Sequence, residues 1–101
     1  MLFRSNGRLN VSENAVTSGG NLPCAFIVHA VGPYFHDVAP HKAIVELYNC
    51  IENVLKRVND ELCCETISIP AISSGLFGFP VKLCAETIFE AIENEMLKRK
   101  P

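Results

Sequence analysis

No apolar run in this sequence reaches the roughly 20 residues that a bilayer-spanning helix needs. The start, Met1-Leu2-Phe3-Arg4-Ser5, lacks the long apolar core of a secretory signal. Basic charge is not in excess either: 9 Lys and Arg stand against 11 Asp and Glu, for a net charge of -2. That balance argues against a nucleic-acid binder working by phosphate neutralisation. The five cysteines, Cys24, Cys50, Cys63, Cys64 and Cys84, are odd in number and include an adjacent pair, with no Cys-x-x-Cys spacing. Neither a disulfide framework nor a zinc site is indicated. They are expected to be reduced thiols filling small core spaces, and no spacing singles out a catalytic pairing of one of them with His29, His36 or His41. There is no internal repeat and no low-complexity segment. The expectation is an intracellular chain with no membrane and no direct nucleic-acid role.

What is present is a small, apolar, well-patterned chain. Its 101 residues are 49% hydrophobic with a mean hydropathy of +0.20, which fits one globular domain over residues 1–101 that buries roughly two-thirds of its unfolded surface. Residues 25–31, Ala-Phe-Ile-Val-His-Ala-Val, are nearly continuous apolar sequence, the pattern of a strand covered on both faces, and Gly32-Pro33 ends it. A helix then starts near Pro40 or His41. Its apolar residues Ile44, Leu47, Tyr48, Ile51, Val54, Leu55 and Val58 form one stripe, and Asn59-Asp60-Glu61 closes it. Ile67 and Ile69 alternate with Thr66 and Ser68, predicting a strand over 66–71. A second helix is predicted from Pro80 to Leu97, burying Leu83, Cys84, Ile88, Ala91 and Ile92.

Strand, helix, strand, helix predicts a three-layer α/β arrangement in which 25–31 and 66–71 are parallel neighbours or near neighbours. Before them, Asn6-Gly7 reads as a turn, Ala15-Val16-Thr17 as a short strand and residues 18–21 as a loop. The basic end Lys98-Arg99-Lys100 suits the negative end of a helix dipole and needs no ligand to explain it.

Chemistry concentrates between residues 68 and 80. There Ser73-Ser74-Gly75 and Gly78 break the strand pattern, and Pro80 stands where a first helical residue belongs. A loop between a strand end and a helix start offers free backbone N–H groups and the positive end of a helix dipole, and glycines let phosphate oxygens approach the main chain. A diphosphate is the expected guest. The loop lacks the Gly-x-Gly-x-x-Gly spacing of dinucleotide folds and the Gly-Lys-Ser/Thr ending of a P-loop. With no lysine to fix a triphosphate, recognition is expected rather than phosphoryl transfer.

Three stretches then carry a resemblance: Thr17-Ser18-Gly19-Gly20-Asn21-Leu22-Pro23-Cys24, residues 27–33, and Ile69 through Pro80. In this order, with a helix between the second and third, they resemble the later half of a macrodomain, the ADP-ribose-binding module, most like those of poly-ADP-ribose polymerase-like proteins. The resemblance runs from about Gly7. It implies a three-layer α/β/α fold with a mixed, largely parallel sheet, without the family's first strands and its last strand. Nothing here matches the family's adenine-reading aspartate, Asn-Ala-Ala-Asn motif or first glycine-rich loop, and Asn14-Ala15 is not equated with that motif.

The resemblance implies that the backbone of Ser73, Ser74, Gly75, Leu76 and Gly78 surrounds a diphosphate and that Phe77 lies against the distal ribose. Phe79 is read as packing and His29 as a hydrogen-bonded core histidine. The implied partner is ADP-ribose, free or on a protein, in nucleus or cytoplasm, with no cofactor. Alternatives are an ADP-ribosyl-protein hydrolase, or a truncated domain that has lost its ligand and serves interactions. Open sheet edges make a dimer or pairing with another domain a further expectation.

Overall fold

A computed structural model describes residues 3–4, 7–70 and 78–99, with backbone only at 3–4, 7–8 and 37. The chain opens with a small antiparallel pair, β1 (Phe3–Arg4) and β2 (Gly7–Arg8). The turn expected at Asn6-Gly7 involves a residue outside the described set. A second antiparallel pair follows, β3 (Asn14–Ser18) and β4 (Phe26–Ala30), in register from Asn14 opposite Ala30 to Ser18 opposite Phe26. Both strands stand where the sequence put them. Yet no residue of β4 is fully buried, and Phe26 is exposed, so the two-sided cover expected of this strand is not found among the described residues.

The connection between β3 and β4 depends on close backbone approach. Gly19 N–H donates to the Ala25 carbonyl at 3.0 Å, continuing the ladder beyond the strands. A Cβ on Gly19 would lie 2.0 Å from the Cys24 carbonyl oxygen, so no other residue fits without a backbone shift.

After a 3-10 turn, Phe35–Asp37, helix α1 runs Pro40–Lys56 with Pro40 in its first turn, where its missing N–H is no loss. One wider π-helical turn, Arg57–Glu61, extends it. Leu62 N–H then bonds back to the Arg57 carbonyl at 3.0 Å, and Cys63 adopts φ 53°, the left-handed conformation that commonly stops a helix. Helix α2 spans Val81–Lys98. Pro80 is its cap rather than its first helical residue: its carbonyl accepts the Cys84 N–H at 2.8 Å while its ψ of 131° is still extended.

The core lies mainly between the helices. Ala43, Leu47, Ile51 and Leu55 of α1 meet Cys84 and Ala91 of α2, and Phe79 closes one end. Leu83, Ile88 and Ile92 pack against this cluster while half-buried, and the fully buried α2 positions include Thr87 and Glu95. The Thr87 hydroxyl bonds back to the Leu83 carbonyl at 2.8 Å, and one Glu95 carboxylate oxygen accepts from Arg99 Nε at 2.8 Å. Each of these two polar side chains thus has a partner at one atom, as burial favours, while the second Glu95 carboxylate oxygen is buried without one among the described residues.

A bulge ties this helical layer to β3 and β4. Ser12, at φ 73°, donates its N–H to the Val31 carbonyl and its hydroxyl to the Glu46 carbonyl, both at 2.8 Å, while Asn53 Nδ2 donates to the Ser12 carbonyl at 3.0 Å. Arg57 Nε adds a 2.6 Å bond to Asn14 Oδ1.

The strand predicted over 66–71 is not formed as a laddered strand at residues 66–70, and residue 71 lies outside the described set. The segment does not pair with β4, and both ladders among the described residues are antiparallel. Pro70 offers no N–H to a ladder, and residues 66–70 and β4 line the same cavity of about 740 Å³. The two segments are near neighbours across space without being hydrogen-bonded.

The cysteines also differ from expectation. Cys50 and Cys84 are buried in the helix interface, whereas Cys24 and Cys63 are exposed and Cys64 is half-buried. All five are free thiols. Among the described residues no helix is long and apolar enough to cross a membrane.

Candidate functional site

The expected phosphate loop enters the structure at its carboxyl end. Ser73, Ser74, Gly75, Leu76 and Phe77 lie outside the described residues, and Gly78 is within them. Gly78 has φ +73°, a conformation other residues adopt only under strain, which explains a glycine two residues before a helix cap.

What holds this end is aromatic packing across the fold. Phe79 is 2% exposed and its ring meets that of Phe35 edge-on, with centroids 5.0 Å apart. Phe35 in turn meets the His36 ring at 5.2 Å and 81°. A Cβ on Gly78 would sit 3.2 Å from His36 Cδ2 and 3.4 Å from Nε2, so the imidazole lies directly against the glycine. Phe79 is therefore packing, as read from the sequence. His36 as a neighbour of the loop was not legible there, because 42 residues separate it from Gly78 and no local pattern links them.

Helix α2 begins immediately beyond. Among the described residues its first-turn N–H groups have no side-chain cap, and no acidic residue occupies that turn. Such a terminus carries partial positive charge and free donors. Lys82 lies in the same turn, 91% exposed at its side chain and only loosely paired with Glu86 at 4.0 Å. The described part of the site thus combines a left-handed glycine, a helix start and an imidazole, an arrangement suited to an anion.

Other candidate groups resolve into structural roles. His29 is half-buried and shares a 2.8 Å hydrogen bond between its Nε2 and the Thr17 hydroxyl across the strand pair. The buried thiols are poor nucleophiles: desolvation pushes Cys50 up to about 11 and raises Cys84 as well. No group of three or more His, Cys, Asp or Glu side chains among the described residues could hold a metal. At the basic carboxyl end, Lys98 pairs with Glu52 at 3.3 Å and Arg99 with Asp60 at 2.9 Å, so these cations fasten α2 to α1.

Comparison with known proteins identifies the family. The macro domain family model matches residues 1–88. Among curated relatives, the mouse Protein mono-ADP-ribosyltransferase PARP9 is 42% identical over 87 residues, covering 85% of this chain and 10% of that protein. The human Protein mono-ADP-ribosyltransferase PARP14 is 33% identical over 105 residues, covering 98% of this chain and 5% of that protein. Among solved structures, the Oceanobacillus iheyensis macrodomain with MES bound superposes with a TM-score of 0.86 at 32% identity, over 94% of this chain and 49% of that one. A mutant of the same macrodomain with ADPR superposes with a TM-score of 0.81 at 34% identity, over 88% of this chain and 47% of that one. The chain thus spans about half the length of these solved macrodomains and a small part of the two mammalian proteins. By sequence and by α/β fold, it belongs to the macro domain family.

Proposed function

We propose that this chain is a binding module for ADP-ribose, free or attached to protein, and that it holds the diphosphate at the loop Ser73 to Gly78. The observation that carries the reading is the superposition on a macrodomain with ADPR over 88% of this chain. The local physics supports it: Gly78 at φ +73° and the uncapped start of α2 bring main-chain donors and positive dipole charge to the end of that loop. Ser73 and Ser74 add hydroxyl donors, and Phe77 offers a ring face to the distal ribose.

Binding is favoured over hydrolysis by the residue types themselves. From Ser73 to Gly78 no side chain titrates near neutral pH, so the loop supplies no general acid or base. Recognition through neutral donors lowers the energy of a bound diphosphate without creating an attacking water.

Calorimetric titration with ADP-ribose, alongside AMP and ribose 5-phosphate, tests the reading. ADP-ribose is expected to bind more tightly than either fragment. Gly75→Glu, which adds bulk and negative charge where phosphate oxygens approach the backbone, is expected to abolish binding while the circular dichroism spectrum is unchanged. Unchanged affinity in that folded variant would place the ligand elsewhere.

A further inference from the structure

We propose, building on the assignment of ADP-ribose to the loop that ends at Gly78, that His36 is a further ligand-contacting residue: it gives the diphosphate a side-chain cation that the loop lacks, so that ADP-ribose is held more tightly as the imidazole gains a proton.

From Ser73 to Gly78 no side chain carries positive charge. His36 comes from the 3-10 turn before α1 and turns the Cδ2–Nε2 edge of its ring toward Gly78, 3.2 Å and 3.4 Å from where a Cβ on that glycine would stand. Nε2 is thus close enough to the Gly78 main chain for one phosphate oxygen to be shared between them. Packing fixes the ring in this place. It meets Phe35 edge-on at 5.2 Å, and Phe35 meets the buried Phe79 at 5.0 Å. His36 is nevertheless exposed, and among the described residues it has no hydrogen bond or ion pair. Its apolar contacts orient the imidazole while its nitrogens stay available, which is how a binding side chain is pre-organised.

The charged and titratable side chains on the surrounding elements are few. Tyr34 and Asp37 flank the turn in sequence, His41 and Lys42 begin α1, and Lys82 and Glu86 lie in the first turns of α2, paired with each other at 4.0 Å. Among these side-chain types only imidazole ordinarily changes charge between about pH 5 and 8. A charge-assisted bond from an imidazolium to a phosphate oxygen is stronger than one from the neutral ring, so affinity rises as pH falls.

The test titrates the full chain with ADP-ribose in a calorimeter at about pH 5.5 and about pH 8. The diphosphate of ADP-ribose is esterified at both ends and has no proton that titrates in this window, and the lowered Asp60 and Glu52 carboxyls titrate below it. The unaltered chain is expected to bind about fivefold or more tightly at the lower pH. His36→Gln, which keeps a neutral donor, is expected to bind equally at both pH values. His36→Lys, with a lasting charge, is expected to bind more tightly than His36→Gln at the higher pH, and His41→Gln is expected to retain the full pH dependence. Circular dichroism of each variant checks the fold. Equal affinity of the unaltered chain at both pH values, pH dependence retained in His36→Gln, its loss in His41→Gln, or His36→Lys no tighter than His36→Gln would each overturn the role of His36 while leaving ADP-ribose at the loop. Absence of binding at either pH would overturn both.

Discussion

The helical and sheet regions of this molecule are built to different standards. In the helical region, Ala43, Leu47, Cys50, Ile51 and Cys84 are fully buried, and polar groups at the seam pair across it, as when Asn94 Nδ2 donates to the Tyr48 hydroxyl at 2.7 Å. In the sheet region, β3 and β4 have no fully buried residue, and β4 lines the cavity it shares with residues 66–70. The helices hold Phe79 and hence the end of the candidate loop, while the strands are only half-covered.

The contrast predicts unequal costs for similar truncations. Leu47→Ala, in a close-packed site, is expected to destabilise by about 3 kcal/mol. Val28→Ala, on the half-buried strand, is expected to cost less than about 1 kcal/mol. Urea unfolding of both variants measures the ratio, and equal costs would break the division between the regions.

A smaller effect probes the end of the helix extension. Cys63 holds φ 53° without being glycine. The relief of left-handed strain on Cys63→Gly exceeds the added unfolded-state entropy, so a gain of about 0.5 kcal/mol is expected in the same assay.

The smallest effect concerns the ion pairs that join the helices. The Arg99 guanidinium hydrogen-bonded to Asp60 holds that carboxyl below its ordinary range. Burial pushes Glu52 upward, but hydrogen bonds from Lys98 and Lys56 outweigh it and leave that carboxyl lowered too. Below about pH 4 the unfolded chain therefore takes up protons before the folded one. The stabilisation is present above the unfolded values and is lost as pH falls through the lower folded ones. Arg99→Ala is expected to lower the urea midpoint at neutral pH and to flatten its decline between pH 5 and 3. A decline as steep as that of the unaltered chain would show that Asp60 does not gain from Arg99.

The two regions were also unequally legible in the sequence. Both helices could be read because their apolar stripes are long and Pro40 and Pro80 mark their starts, whereas Asn59-Asp60, read as closing the first, lies within the π-helical turn that extends it to Glu61. Local pattern likewise gave β3 and β4, including the glycine loop between them. The segment 66–70 was misread as a laddered strand, since alternation of Ile67 and Ile69 with polar residues reports facing but not whether a neighbouring strand is within reach. Continuous apolar sequence in β4 suggested cover on both faces, yet apolar residues can equally await a partner. At the site, Gly78 and the start of α2 were readable from glycine and proline chemistry, whereas His36 reaches Gly78 only through the tertiary fold.

The most direct measurement is an NMR titration of the ¹⁵N-labelled chain with ADP-ribose, following the Gly78 amide, the His36 ring and the amides of Phe26, Val28 and Ala30. Gly78 and His36 are expected to shift first and to saturate together, with AMP and ribose 5-phosphate producing smaller shifts and the β4 amides unmoved. A folded chain whose Gly78 and His36 signals do not respond, or whose shifts are confined to β4, would contradict the assignment of ADP-ribose to the loop that ends at Gly78.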